Sequence, residues 1–166
     1  MAADEAGYRE YVIHRLDGFR RTAFLLCGDW HQADDLVSIA LVKLLRHWRR
    51  VSVMEQPDAY VRRILLRAWL DERRRPWRRE RPTDVVPDHP DPGSSHGPAE
   101  RMDVMAHLAE LPPRRRAVLV LRYFCDLSVE QTAAALGCTE GTVKSQAARA
   151  LDTLRARLVD VPAMEE

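Results

Sequence analysis

The segment with the clearest structural pattern is SVEQTAAALGCTEGTVKSQAARALDTL, residues 128–154. Its pattern predicts a short helix, a turn that contains a glycine and a longer helix, which together are the helix-turn-helix arrangement. Ser128 and Gln131 have the spacing of a capping box at the start of the first helix, and Gly137 ends that helix. Thr139 caps the second helix, whose predicted buried stripe consists of Val143, Ala147, Ala150, Leu151, Leu154 and Leu158.

With this stripe buried, polar residues of the second helix face outward, and those near its amino terminus are expected to meet base edges in a major groove. Gln146 suits adenine, and Glu140 can accept from the N4 amino group of cytosine. Lys144 or Arg149 suits a phosphate or guanine. The candidate DNA-binding residues are Thr139, Glu140, Gly141, Thr142, Lys144, Ser145, Gln146 and Arg149.

An ordinary helical hairpin with a solvated polar face is the alternative interpretation of this segment. Small side chains at Ala133 and Ala134 would let the two helices lie close together, and Val143 would fill the angle between them. Because these residues and the turn glycine meet the packing constraints at the right offsets, the pattern favours DNA binding.

The amino-terminal half of the chain predicts three helices that pack as an antiparallel bundle with arginine-rich outer faces. The first helix ends near Cys27–Gly28. The second follows a capping-box pattern at Asp29 and Gln32, and its predicted buried stripe is Ala33, Leu36, Val37, Ala40, Leu44, Leu45 and Trp48. Pro57 suits the first turn of the third helix, which carries Tyr60, Val61, Ile64, Leu65, Ala68 and Trp69 at helical spacing.

Segment 82–99 holds five of the ten prolines and two of the seven glycines, and it shows no apolar periodicity, as is typical of a linker. After it, a short helix over Met102–Ala109 is stopped by Pro112, and Pro113 begins a helix that contains Phe124. The predicted fold is therefore all-α, with two small helical domains at residues 5–81 and 101–160 and a Pro/Gly-rich linker at residues 82–100.

The positive charge of the chain is concentrated in one block. The 166 residues carry 26 basic and 25 acidic side chains, and the resulting net charge of +1 excludes a uniformly basic nucleic-acid coat. Residues 60–82, however, contain nine arginines and three acids. Such a block suits a polyanion, because each phosphate that it neutralises releases counterions. A solvated, arginine-rich helix face is the alternative.

Composition also bounds the class of protein. With 46% apolar residues the chain is too hydrophobic for wholesale disorder, and its longest aliphatic run, Ala117–Leu121, is too short to span a membrane. Residues 1–10 lack the apolar core of a secretory signal. The three cysteines are scattered and form neither a disulfide framework nor a metal motif. We therefore expect a cytoplasmic protein with reduced thiols and with no metal or other cofactor.

Three segments together resemble a known family: ADDLVSIALVKLLRHW at residues 33–48, PDAYVRRILLRAWLDERRR at 57–75, and LPPRRRAVLVLRYFCDLSVEQTAAALGCTEGTVKSQAARALDTLR at 111–155. Over roughly residues 8–158 the chain resembles an extracytoplasmic-function (ECF) sigma factor of bacterial RNA polymerase, a two-domain member of the sigma-70 family. The resemblance implies a promoter-specificity subunit that binds the clamp helices of the largest subunit and the flap of core RNA polymerase. It also implies a monomer when free, and it allows an anti-sigma factor as a partner.

The resemblance assigns roles to residues in both domains. The second helix would dock on the polymerase clamp through Asp34, Asp35, Leu36, Ser38, Ile39 and Lys43. Exposed apolar residues at Ile39 and Val42 would suit a partner surface, and packing of both on the first helix is the alternative. The −10 element would be contacted by Arg62, Arg63, Arg67, Arg73, Arg74, Arg75 and Trp77, with Trp69 better suited to the core. The residues from Thr139 to Arg149 would read the −35 element.

The chain departs from the family pattern at a few of these positions. Ser38 and Ile39 stand where members usually have Gln and Glu, which concerns polymerase docking. Arg67 stands at an Asn position in the segment that reads the −10 element, and Gln146 replaces a common Arg in the recognition helix.

Two other classes of function are alternatives to the sigma factor. A stand-alone helix-turn-helix transcriptional regulator is the alternative to the sigma factor, but the basic block lies in the first domain and not beside the reading helix. An enzyme built on Asp34 and Asp35 is disfavoured, because adjacent carboxylates on a helix point about 100° apart and do not converge. Ligand spacing typical of a metal site is missing among His31, His47, Cys27 and Cys138.

Overall fold

The structure, a computed structural model, describes residues 2–75 and 98–159 of the chain, and side chains within residues 4–75 and 104–158. Every regular element in these ranges is helical, and the predicted all-α fold is confirmed. The helices belong to two compact units, which are described separately. No helix in the described ranges is long and apolar enough to cross a membrane.

The first unit is a bundle of three helices, α1 (Ala2–Cys27), α2 (Trp30–Val51) and α3 (Pro57–Arg73), each packed on the other two. Gly28 connects α1 to α2 with a positive φ of 76°, which glycine adopts without strain. Arg49 Nε donates to Asp4 Oδ2 at 2.7 Å, so the start of α1 lies beside the end of α2 and the pair is antiparallel, as predicted. Trp69, at 1% exposure, is among the largest side chains of the core.

The second helix differs from its prediction in two details. Asp29 caps α2 by accepting from the His31 backbone N–H at 2.8 Å, whereas Gln32 does not close the predicted capping box. The Gln32 amide donates instead to Glu72 at 2.8 Å and ties α2 to the end of α3. Leu45 was predicted in the buried stripe but is 53% exposed, because it lies about 100° around the helix from Leu44.

The second unit contains α4 (Pro98–Glu110), α5 (Pro113–Leu119), α6 (Val129–Leu136) and α7 (Glu140–Val159). Both α5 and α6 pack on α7, and a π-helical turn over Val120–Phe124 follows α5. The core of this unit includes Leu108, Val118, Leu121, Val143 and Ala150.

Three expectations for this unit are corrected. The fourth helix begins at Pro98, so the predicted linker end at residue 100 falls inside a helix. Ala134 is exposed, and Ala133 and Ala135 are the small residues buried in α6. Leu158 is 62% exposed, so the buried stripe of α7 does not extend to this residue.

Candidate nucleic-acid interface and docking surface

The helix-turn-helix is built by the local contacts that its sequence predicts. Ser128 Oγ accepts from the Gln131 backbone N–H at 3.0 Å, and Gln131 Oε1 accepts from the Ser128 N–H at 2.8 Å. Gly137 ends α6 in the left-handed conformation, with φ 65° and ψ 39°. Val143 is fully buried in α7. The predicted capping box, turn glycine and buried valine are therefore confirmed.

The exposed side of α7 has small residues at its centre and cations at its edges. At about 100° per residue, Gly141, Ser145 and Ala148 fall within about 60° of one another. Lys144 and Arg149 lie on opposite flanks, and both are exposed. A Cβ added at Gly141 would meet only Thr139 Oγ1, at 3.9 Å. The helix backbone can therefore come close to a surface that faces it.

Other predicted members of this face have distinct surroundings. Glu140 is exposed at the first position of the helix, and Thr142 is half-buried. The Thr142 backbone N–H donates to Thr139 Oγ1 at 3.1 Å, so Thr139 caps the helix as predicted. With its hydroxyl used in this cap, Thr139 serves mainly to fix the start of α7.

Gln146 does not fit the predicted contact with adenine. Arg115 Nε, from α5, donates to Gln146 Oε1 at 3.2 Å, and the Gln146 side chain is half-buried. A bidentate contact with adenine needs the amide oxygen as an acceptor and the amide nitrogen as a donor. Since that oxygen is already directed at α5, we reassign Gln146 from base reading to cross-helix support.

The predicted −10 arginines on α3 and at its C-cap, Arg74, differ in their surroundings. Arg63, Arg67 and Arg74 are exposed and lie within about 40° of one another at about 100° per residue. Arg62 is half-buried, and its Nε is buried without a hydrogen-bond partner among the described residues. The Arg73 guanidinium lies 5.4 Å from the centroid of the Trp69 ring.

The structure describes only some of the remaining predicted residues of this region. Arg75 is exposed just after α3. Trp77 and most of the linker lie outside the described residues. Trp69 belongs to the core, as predicted. One exposed arginine face on α3, formed by Arg63, Arg67 and Arg74, is therefore available to a polyanion.

A mixed stripe of charged and apolar residues runs along the outer side of α2. We call Asp35, Ile39, Val42 and Arg46 the docking stripe. These residues lie within about 60° of one another at about 100° per residue. Ile39 and Val42 are 38% and 52% exposed, so neither is buried in the interface with α1. The predicted docking residues do not include Arg46, although its spacing from Asp35 and Val42 places it on this stripe.

Three of the predicted docking residues are not free on this surface. Leu36 is fully buried, so its predicted contact with the polymerase is replaced by a role in the core. Ser38 Oγ donates to the Asp34 backbone carbonyl at 2.8 Å and lies along its own helix. The Asp34 carboxylate accepts from Arg20 Nε at 2.7 Å and from a second guanidinium nitrogen at 3.3 Å. Asp35 and Lys43 are exposed.

A polar cluster joins α1 to the start of α3. The Tyr11 hydroxyl donates to Asp58 Oδ1 at 2.6 Å, and Arg15 lies 3.4 Å from Asp58 Oδ2. Burial raises the pKa of Tyr11 well above its usual value, and the hydrogen bond to Asp58 raises it further. This cluster connects α1 to α3 through hydrogen-bonded and charged side chains. Among the described residues, no group of three or more His, Cys, Asp and Glu could hold a metal ion.

Comparison with known proteins identifies both units. Residues 12–79 match the family described as sigma-70 region 2, and residues 101–154 match sigma-70, region 4. The chain is 38% identical over 152 residues to the RNA polymerase sigma-E factor of Streptomyces coelicolor, which covers 92% of this chain and 86% of that protein. It is 31% identical over 146 residues to the ECF RNA polymerase sigma factor SigL of Mycobacterium tuberculosis, with coverage of 85% and 82%.

A solved structure supports the fold. The sigma factor RpoE of Bartonella quintana, in complex with the anti-sigma factor NepR, matches with a TM-score of 0.77 and 24% identity, over 93% of this chain and 98% of that one. The sequence relatives carry the family assignment, and the structural match agrees with it in fold. The chain therefore belongs to the sigma-70 family of RNA polymerase sigma factors, within its ECF group.

Proposed function

We propose that this sigma factor binds core RNA polymerase through the docking stripe of α2 and directs transcription initiation by contacting the −10 element with α3 and the −35 element with α7. The observation that supports it most strongly is the presence of a region 2 unit and a region 4 unit in one chain. We assign residues 5–81 to polymerase docking and −10 recognition, residues 82–97 to the linker, and residues 98–160, which begin with helix α4, to −35 recognition.

The docking stripe suits a protein partner because it combines apolar and charged side chains in one exposed line. Burial of Ile39 and Val42 would supply apolar contact, while Asp35 and Arg46 at the ends would fix register through charge. Lys43 lies on the flank of the same surface. Three predicted docking residues would contribute only indirectly. Leu36 is buried in the core, Ser38 bonds to the backbone of its own helix, and Asp34 pairs with Arg20 of α1.

The test of docking is retention of the purified full chain on immobilised bacterial core RNA polymerase. We expect Asp35→Arg to lower affinity at least about ten-fold, since it reverses a charge in the contact. Glu10→Arg, at an exposed acid on α1, is the matched control and should bind as the wild type does. Equal retention of both variants and the wild type would contradict docking through this stripe.

Promoter contact would use the exposed arginine face of α3 and the outer side of α7. Arg63, Arg67 and Arg74 would neutralise phosphates near the −10 element. On α7, Ser145 and the flanking Lys144 and Arg149 would meet the −35 element. The start of the helix would contribute Glu140, Gly141 and Thr142. Gln146 would support this helix through its hydrogen bond with Arg115. Trp77 is proposed to stack on an unpaired base of the opened strand.

Promoter contact is tested on holoenzyme, at a promoter found by mapping transcription starts. Arg67→Ala should reduce the slope of log affinity against log salt by about 1, as loss of one phosphate contact does. Arg149→Ala should relax base preference at one −35 position by about 1–3 kcal/mol. A sequence-specific footprint by the free protein, without polymerase, would favour the stand-alone regulator instead.

Three finer assignments belong to the same proposal. Sigma factors are not enzymes, and we propose that this chain has no catalytic activity of its own. We place it in the cytoplasm, because the polymerase and promoter that it serves are there. Since RpoE of Bartonella quintana was solved with an anti-sigma factor, we also propose an anti-sigma partner for this chain, which would block polymerase docking.

A further inference from the structure

The start of α2 is fastened to α1 by a compact group of charged and aromatic side chains. Arg20 Nε donates to Asp34 Oδ1 at 2.7 Å, and Arg20 Nη2 donates to Asp34 Oδ2 at 3.3 Å, so the pair is bidentate. The same guanidinium lies 5.3 Å from the Trp30 ring centroid. Trp30 in turn stacks on Phe24, with centroids 4.2 Å apart and ring planes at 11°.

This group contacts the part of α2 that leads into the docking stripe. Trp30 is the first residue of α2, and Asp34 lies one turn later on the same side, so Arg20 contacts both from α1. Asp35 is the next residue, and it is exposed. A change in the position of the first turns of α2 would therefore move the Asp35 carboxylate directly.

Asp34 itself is poorly placed to recognise a partner by charge. Both of its carboxylate oxygens accept from one guanidinium, so its negative charge is largely balanced within the protein. Asp35 has neither a hydrogen bond nor an ion pair in the described part of the chain. Of the two adjacent acids, Asp35 is thus the one whose charge is available to a basic partner surface.

We propose that Arg20 is a positioning residue for polymerase docking. By contacting Asp34 and Trp30 it fixes the start of α2, so that the Asp35 carboxylate meets the polymerase. Asp34 then affects docking only through its bond with Arg20. This inference rests on the proposed docking function of α2. A partly exposed ion pair contributes up to about 1 kcal/mol, so Arg20→Ala should weaken binding of core RNA polymerase about two- to five-fold.

A charge swap separates positioning from direct contact. Arg20→Asp and Asp34→Arg should each weaken binding more than Arg20→Ala, because each places like charges together. The double variant should recover wild-type affinity to within about two-fold, since the pair is re-formed and an arginine at position 34 stays within reach of Trp30. If the double variant binds no better than Asp34→Arg alone, Asp34 touches the polymerase and the proposal is wrong.

The matched control is the ion pair at the other end of the same two helices. Arg49 Nε lies 2.7 Å from Asp4 Oδ2, so Asp4→Asn removes an α1–α2 pair of equal length without changing the surface of α2. Asp34→Asn and Asp4→Asn should lower the melting temperature to a similar extent, but only Asp34→Asn should weaken polymerase binding. Equal affinities for the two variants would overturn the proposal. Failure of the wild type to bind core polymerase would instead overturn the proposed function itself.

Discussion

Replacing Gly141 by alanine should make the protein more stable and a poorer DNA binder at the same time. Gly141 is the second residue of α7, and an added Cβ would meet only Thr139 Oγ1, at 3.9 Å. The free protein can therefore accept the methyl group without strain. Because alanine restricts the unfolded chain, the free energy of unfolding of the second unit should rise by about 0.4–1 kcal/mol. For a unit of this size the melting temperature should rise by about 2–8 °C.

The opposite effect on promoter binding follows from the place of Gly141 on α7. It lies with Ser145 and Ala148 on the exposed side that we propose to face the −35 element. A methyl group forced into a close contact costs about 1–3 kcal/mol, as overpacking does in a protein core. Affinity of holoenzyme for a −35 duplex should therefore fall about 5- to 150-fold.

Gly18→Ala is the matched control for this prediction. Gly18 is exposed within α1, and a Cβ there meets nothing within 4 Å. It should stabilise the first unit by a similar amount and leave −35 affinity unchanged. Thermal unfolding of the full chain and fluorescence titration of labelled duplex measure the two quantities. If Gly141→Ala binds the duplex as tightly as the wild type, the backbone of α7 does not approach DNA at this residue and the proposed docking face is wrong.

Four further results are expected. Ser128→Ala should lower the free energy of unfolding by about 0.5–2 kcal/mol in urea titrations, since it removes an N-cap hydrogen bond; no change would mean that the cap is not stabilising. Trp69→Ala should cost about 3–5 kcal/mol by the same measurement, because the ring is buried, and a cost below about 1 kcal/mol would contradict its place in the core. Gln146→Ala should leave base preference unchanged in a scan of −35 duplexes, whereas loss of preference at one adenine would restore it as a base reader. Folding raises the pKa of Tyr11, so the protonated phenol stabilises the folded state fully below about pH 10, and this stabilisation is lost as the pH rises above that value. Tyr11→Phe should therefore make the free energy of unfolding fall less steeply at alkaline pH. Parallel pH profiles of the free energy of unfolding for the variant and the wild type would refute this.

Several parts of the fold and the candidate site could be predicted because they depend on residues close together in the chain. Ser128 and Gln131 satisfy each other's backbone N–H groups across one helical turn, and this pairing needs no distant partner. Gly137 was predictable as the end of α6 because a left-handed residue there strongly favours glycine. The face of α7 followed from helical periodicity once Val143 was recognised as its buried side.

Sequence patterns were thus sufficient to predict the order of the helices, the capping residues Asp29, Ser128 and Thr139, the turn of the helix-turn-helix and the family to which the chain belongs. Which polar side chains are free to meet a partner depends instead on contacts between helices. Gln146 carries the right groups for adenine, but Arg115 on another helix occupies its acceptor. Asp34 and Asp35 are identical in chemistry and adjacent in sequence, yet Arg20 neutralises only the first. Such pairing depends on which helices pack together and at what register, and no local pattern of residues encodes that distance.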